Sequence, residues 1–378
     1  VAGVNGMRKT RVYKRIFLLG FLPVSVVLIV AAKNSSYFAE QIFALHIYKF
    51  LSQILSSVFG IFPFSVAEIL VILLLFFVFF ILIRFFLQLI KNKENRKQRM
   101  WRGLLNAGCF ASVALFLFVI LAGINYYRYP FSYYSKLQIG DSSVEDLYAL
   151  NEHLIQEANR LRVKAHTDEN GVFQLPMKEY QLADLANHAM EHLAKEYPVL
   201  DGSYGAPKPV LLSPLMSYTE ITGIFMPFTM EANVNVAAPD YSVPATMLHE
   251  LAHLRGFMRE DEANYIAYLA GIESGNDEIA YSSTMLAVET AGNALYEQSQ
   301  SLYFKIRDQY SKGVLKDIRE SIKYWQKYDD GAISTISNTM NDTYLKANNQ
   351  TDGVKSYGRM VDLLIAKYKK DRKDGKLK

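Results

Sequence analysis

Pro244-Ala245-Thr246-Met247-Leu248-His249-Glu250-Leu251-Ala252-His253-Leu254-Arg255-Gly256-Phe257-Met258-Arg259-Glu260-Asp261-Glu262-Ala263-Asn264 joins a helix signature to a metal-ligand spacing. Pro244 suits the first turn of a helix, where its missing N–H is not needed. Gly256 suits the stop, where a left-handed residue closes the last turn. Between them His249 and His253 stand four apart, so their imidazoles project from one face and can share a metal. Glu250 is placed to reach a water on that metal, remove its proton and hand it to a leaving amine. With 7 His in 378 residues, a chance His-Glu-x-x-His arises on the order of once in a hundred such chains. The competing reading is an amphipathic helix with two ordinary histidines. Met247, Leu248, Leu251, Ala252 and Leu254 argue against it, because they bury the helix while leaving the histidines on one stripe.

A zinc site of this kind takes three protein ligands and keeps one position open. If a second helix starts after the Gly256 turn, Glu260 and Asn264 share a face. Glu260 is then the preferred third ligand, and Asn264 is available to orient a histidine from behind. Glu262, roughly opposite on that helix, is the alternative ligand. Arg259 stands where a metzincin places its third histidine, which disfavours that class. Two imidazoles and a carboxylate point to zinc as the cofactor.

A second spacing competes with the first. His188-Ala189-Met190-Glu191-His192 is the inverted arrangement, His-x-x-Glu-His. Leu182, Leu185, Ala189 and Leu193 form its expected buried stripe, leaving Asp184, His188, Glu191 and Lys195 exposed. No proline start, glycine stop or Glu-rich helix accompanies it, so a solvated face is the better reading. His46, His153 and His166 are isolated. Val210 to Val236 is rich in β-branched and aromatic residues and reads as two or three short strands. Within it Asn233, Val234 and Asn235 are candidates for an edge strand that pairs with an extended peptide. Helices are expected over Val144–Lys164, over Lys178–Tyr197, and after Val243 with turns at Gly256, Gly275 and Gly331.

Upstream the chain changes character. Ile16 to Ala32, Val66 to Ile90 and Leu104 to Tyr126 each approach or exceed the ~17–25 residues that cross a bilayer as a helix. No small-residue cleavage site follows the first of these convincingly, so it reads as an uncleaved anchor. Val1 to Gly6 read as an extension upstream of a start at Met7. Arg8, Lys9, Arg11, Lys14 and Arg15 precede the first span. Lys91, Lys93, Arg96, Lys97, Arg99 and Arg102 separate the second from the third, against a single Glu94. Both basic clusters therefore belong to the cytoplasm, and three spans place everything after Tyr127 outside. Between the first two spans, Phe43, Ile47, Phe50, Leu51, Ile54, Leu55 and Val58 recur at helical spacing. A helix lying in the outer membrane interface and one packed against the spans both fit that pattern. Tyr126 to Phe131 reads as an interfacial aromatic collar.

Composition agrees. The chain is 51% hydrophobic and 21% charged, which excludes disorder. A formal charge of +4 is too mild to argue for nucleic acid. One cysteine, Cys109, excludes a disulfide framework and any Cys-ligated zinc finger or iron–sulfur site. There is no Gly-x-Ser-x-Gly elbow and no phosphate loop.

The chain resembles an uncharacterised bacterial family of membrane-anchored HExxH proteins, a domain of unknown function. The resemblance runs from about Ile16 to Tyr368 and rests on Pro63-Phe64-Ser65-Val66-Ala67-Glu68, Asn125-Tyr126-Tyr127-Arg128, the Pro227-Phe228-Thr229 strand and His249 to Asn264. The chain is more distantly similar to gluzincin peptidases such as the CAAX prenyl proteases, in which His-Glu-x-x-His is followed by Glu-x-x-Ala-Asp. Here Asn264 replaces that aspartate, and His253 and Glu260 stand much closer. The resemblance implies that His249, His253 and Glu260 ligate zinc and that Glu250 is the base. The expected architecture is a cytoplasmic N-terminus (1–15), a three-helix membrane anchor (16–127) with an interfacial helix (38–59), and an α+β, mostly helical, zincin-like extracytoplasmic domain (128–378). The expected function is a zinc metalloprotease whose partners are membrane lipids and a peptide or protein substrate. The alternative is a non-catalytic receptor or envelope assembly factor with a structural or vestigial metal site.

Overall fold

A computed structural model describes residues 12–91, 94–329, 331–348 and 360–377. The expected start at Met7 and the basic residues Arg8, Lys9, Arg11 and Lys93 lie outside the described residues. The chain divides into two units, one of Val1–Tyr48 with Val66–Arg128, the other of Lys49–Ser65 with Tyr129–Lys378.

The first unit is built of apolar helices. They are α1 (Val12–Asn34), a π-helical segment (Phe38–Tyr48) that runs on into α2 of the second unit (Lys49–Gly60), α3 (Val66–Lys91) and α4 (Arg96–Leu121). The exposed side chains of α1 and α3 are mostly aliphatic or aromatic, so little but a lipid environment or a partner satisfies those outer faces. Among the described residues four helices are long and apolar enough to cross a membrane, and they make the chain membrane-associated. The fourth, beyond the three expected, is Phe38–Gly60. The last helix stops at Leu121 rather than Tyr126, and Gly123–Tyr127 follows as a 3₁₀ turn. Tyr126 is buried within this unit, so the expected aromatic collar does not form there. In the same unit Arg128 forks onto Glu40, with Nη2–Oε1 at 2.6 Å and Nε–Oε2 at 2.9 Å. Both side chains are sealed from solvent, and two parallel charge-assisted bonds offset part of the desolvation cost.

The second unit holds α2, then α5 (Phe131–Ser135), α6 (Val144–Arg162), α7 (Glu179–Glu196), β1 (Lys208–Pro209) and α8 (Ser213–Tyr218). Strands β2 (Gly223–Met226) and β3 (Glu231–Val234) follow. Then come α9 (Val243–Leu254), α10 (Glu260–Ile272), α11 (Asp277–Gln298), α12 (Gln300–Arg307), α13 (Lys312–Tyr328), α14 (Ala332–Ala347) and α15 (Met360–Lys373). Ser143 starts α6 by a capping box with Asp146, satisfying two otherwise orphaned N–H groups. The α6 stripe Leu147, Leu150, Leu154, Ala158 and Leu161 is buried, and α6 packs on α11. Helix α10 packs against both α9 and α11, so the His-containing helix sits in the core rather than on the rim. Phe131, placed in the expected collar, is likewise core: its ring meets Tyr197, Phe257 and Tyr265.

The sheet is small, in the order β1-β3-β2, with β3 parallel to β1 and antiparallel to β2. The Lys208 ammonium on β1 donates to Glu231 Oε1 on β3 at 2.7 Å and to the carbonyls of Phe59 and Phe64 at 2.6 and 3.1 Å. All three of its donors are used, which is what permits a lysine to be buried here.

Candidate metal centre

Helix α9 ends as its sequence predicts. Gly256 has φ +89°, and its N–H donates to His253 O at 2.8 Å while Phe257 N–H donates to Ala252 O at 3.1 Å. This pair of bonds is the Schellman closure, and the φ it demands favours glycine. The closure turns the Phe257 carbonyl back toward the helix, where it accepts from His253 Nδ1 at 2.8 Å. His249 Nδ1 lies 2.7 Å from Asn264 Oδ1 on α10. A carbonyl and an amide oxygen are acceptors, so each ring holds its proton on Nδ1 and leaves Nε2 to face the site.

Those Nε2 atoms converge on Glu260, the first residue of α10. His249 Nε2 is 3.2 Å from Oε2 and His253 Nε2 is 3.6 Å from Oε1. The three groups present ligand atoms within 4.8 Å of one another. Two nitrogen lone pairs facing a carboxylate repel unless a cation lies between them or a ring takes a proton. With no cation between them, the proton would be the answer. Burial alone pulls His253 down, but Glu260, with help from Glu250 and the Phe257 carbonyl, holds it up to about 9. Burial would raise Glu260, but the two histidines hold it well below the usual carboxylate range.

Glu250 completes the arrangement. It is buried, and burial raises its pKa against the pull of the two histidines. Phe225 N–H of β2 donates to it, while Oε2 has no hydrogen-bond partner among the described residues. An orphaned carboxylate oxygen this deep is costly unless a further group meets it. Gly223 explains how β2 comes so close: a β-carbon there would collide with Glu250 Oε1 and lie 2.7 Å from Thr246 Cγ2.

Of the residues singled out from sequence, His249, Glu250, His253, Glu260 and Asn264 are brought together. Glu262 is not. Its carboxylate accepts from Phe131 N–H at 2.7 Å and from the Arg259 guanidinium at 2.6 and 3.0 Å, so the alternative ligand is already committed to holding α5 and Arg259. The edge-strand assignment is also corrected. Asn233 and Val234 lie on β3, the central strand, buried and paired on both sides, and Asn235 is buried just beyond it. The edge belongs to β2. Asn235 N–H donates to Thr222 O, so the period-two alternation turns the backbone groups of Gly223 and Phe225 away from β3. There the Phe225 N–H is taken by Glu250, and the Gly223 groups and the Phe225 carbonyl make up the rest of the edge. Sequence reading missed Gly223, Phe225 and Phe257. An isolated glycine in a strand signals close backbone approach, and the residue after a glycine stop is where a Schellman turn presents its carbonyl. On α7, Asp184, His188, Glu191 and Lys195 are exposed as expected, and His192 is exposed with them. Leu185, expected in the buried stripe, is exposed too, while Ala183, Ala186 and Met190 fill the interface.

Fold and site together define a mostly helical, membrane-associated protein with a partly buried His-His-Glu cluster beside a small sheet. The chain belongs to the family described as Protein of unknown function (DUF3810), whose sequence pattern matches residues 43–365. No curated protein and no solved structure matches it.

Proposed function

We propose that the chain is a membrane-anchored zinc metallopeptidase that hydrolyses peptide bonds outside the cytoplasmic membrane. One observation carries the reading: both Nδ1 atoms are occupied, both Nε2 atoms and Glu260 converge, and the free oxygen of Glu250 stands beside them. A structural metal site needs no buried carboxylate with one oxygen left unbonded next to its ligands. His249, His253 and Glu260 would hold the ion, a donor set suited to zinc and the one gluzincins use. When bound, zinc supplies Lewis acidity that activates water and polarises the scissile carbonyl.

The remaining work falls to the chain itself. Glu250, its proton affinity raised by burial, takes the proton of the attacking water at Oε2 and returns it to the leaving nitrogen. The free edge of β2 pairs with an extended substrate backbone, which brings the scissile bond against α9. Asn264 and the Phe257 carbonyl hold the two rings in the tautomer that keeps Nε2 available. Three of the apolar helices cross the bilayer in this reading, with Lys91, Arg96, Lys97, Arg99 and Arg102 on the cytoplasmic side. A reporter fused after Lys378 is expected outside the cytoplasm.

The direct test is Glu250→Gln in the full-length protein, assayed against a quenched fluorescent peptide library. Zinc content is expected to stay near that of the parent while cleavage disappears. Cleavage that persists in the Gln variant removes Glu250 from the mechanism. Bound zinc with no cleavage by the parent favours the non-catalytic receptor or assembly factor.

A further inference from the structure

Helix α2 is built inside out. Its polar stripe is turned into the second unit: Ser52 and Ser56 are buried, Ser56 Oγ accepts from Gly205 N–H at 2.9 Å, and Gln53 Oε1 accepts from Ser203 N–H at 3.0 Å. Its apolar stripe faces out. Phe50, Ile54, Val58 and Ile61, spaced at three or four residues, are 65, 45, 50 and 78% exposed, and Phe62 and Phe64 continue the surface. In water this is the wrong way round, since an exposed apolar stripe on a helix marks an interaction surface.

Chain continuity says what covers it. Ser65 is joined directly to Val66, where an apolar helix of 26 residues begins, and Lys49 follows directly on the apolar Phe38–Tyr48 segment. We propose that α2 and the Ile61–Phe64 turn form a bilayer-docking face of the second unit, seated in the acyl layer just below the headgroups. The bonds from Gln53 and Ser56 tie this face to the Ser203–Gly205 loop, and Lys208 of β1 ties it to the sheet through the Phe59 carbonyl. The face also lies near the edge strand. Ser65 Oγ donates to Asn233 Oδ1 at 2.6 Å, and the same asparagine's Nδ2 reaches Ile224 O of β2 at 3.3 Å. A polypeptide laid along β2 is then one anchored in, or emerging from, that bilayer. This substrate class rests on the peptidase reading, whereas the docking face does not.

The experiment uses the full chain in phospholipid vesicles, with Cys109→Ser removing the single native thiol. Nitroxide labels are placed at Ile54→Cys, at Ile61→Cys and, as a water-exposed reference, at Val163→Cys, where the native side chain is 86% exposed. Collisions with oxygen, which partitions into lipid, are compared with collisions with nickel–EDDA, which stays in water. The oxygen-to-nickel ratio at Ile54 and Ile61 is expected to exceed that at Val163 by about tenfold. A ratio equal to that at Val163 overturns the docking face. Low collision rates with both reagents overturn it as well, by showing the stripe covered by protein such as a second copy. As a check free of the label, Ile61→Trp should be quenched by acyl-brominated lipid. None of these readouts uses metal or cleavage, so a failed peptidase assay leaves the docking face standing, and the reverse.

Discussion

Helices α9 and α7 carry nearly the same letters and end in different places. Each has two histidines and a glutamate within five residues, and on each the two histidines project from one face. On α9 the pair is buried or half-buried, each Nδ1 has an oxygen partner, and a second carboxylate, Glu260, arrives from α10. On α7 the three groups stand in solvent, and the bond recorded for His188 is Nδ1 to the Asp184 carbonyl of its own helix, at 2.7 Å. The difference lies outside both motifs. A ligand spacing costs two or three residues. A site needs the neighbouring turn, the following helix and a strand edge to fix ring orientation and exclude water.

The comparison breaks most directly at the ligands. His249→Ala with His253→Ala should take zinc from about one ion per chain to none, while His188→Ala with His192→Ala leaves it unchanged. Elemental analysis of protein purified without chelator reads both. Zinc lost from the α7 variant, or kept by the α9 variant, reverses the assignment. Next in size is the choice between carboxylates. Glu260→Ala should weaken zinc binding by about a hundredfold or more in a competition titration. Glu262→Ala should leave zinc affinity within a few-fold and instead lower thermal stability, because Arg259 and Phe131 N–H lose their buried acceptor. A smaller effect is expected behind the ligands. Asn264→Ala should cost about 10–100-fold in zinc affinity with one ion per chain still bound at saturation, and Asn264→Asp should recover part of the loss by restoring an acceptor for Nδ1.

Much of the site was legible because its determinants are local. Pro244, Gly256 and the spacing of His249, His253, Glu260 and Asn264 all act within about one or two helical turns, and each residue does what its neighbours require. The edge strand was not legible for the opposite reason. Which strand of a three-stranded sheet is central depends on β1, fifteen residues upstream of β2, slotting in beside β3. Nothing in the alternation of Thr222 to Val236 encodes that partner. Leu185 failed similarly. A 3.6-residue stripe has a width, and whether its rim residue is covered depends on what packs there. Membrane association was legible in three of the apolar runs, but the inversion of α2 was not, since polar and apolar residues at helical spacing look the same whichever side faces protein.

The finest distinction between the two helices is in how stability responds to pH in the metal-free protein. His253 is held up to about 9, above the ~6.5 of an unfolded chain. The folded state therefore binds that proton more tightly, so its contribution is fully present below about pH 6.5 and is lost as pH rises through 9. Burial raises Glu250 as well, and a raised carboxyl pKa has the same sign, favouring the folded state while protonated. Glu260 is held low, so its contribution is present above the ordinary carboxylate range and is lost only in acid, outside this window. Chelator-treated protein in detergent should thus melt about 3–6 °C lower at pH 9 than at pH 6.5. That slope should shrink in His253→Ala and in Glu260→Gln, and persist in His188→Ala with His192→Ala. Saturating zinc should abolish it, because the ligand nitrogen is then deprotonated at both pH values. An unchanged slope in His253→Ala would place the titrating group elsewhere and remove the charge coupling between the α9 histidines and Glu260.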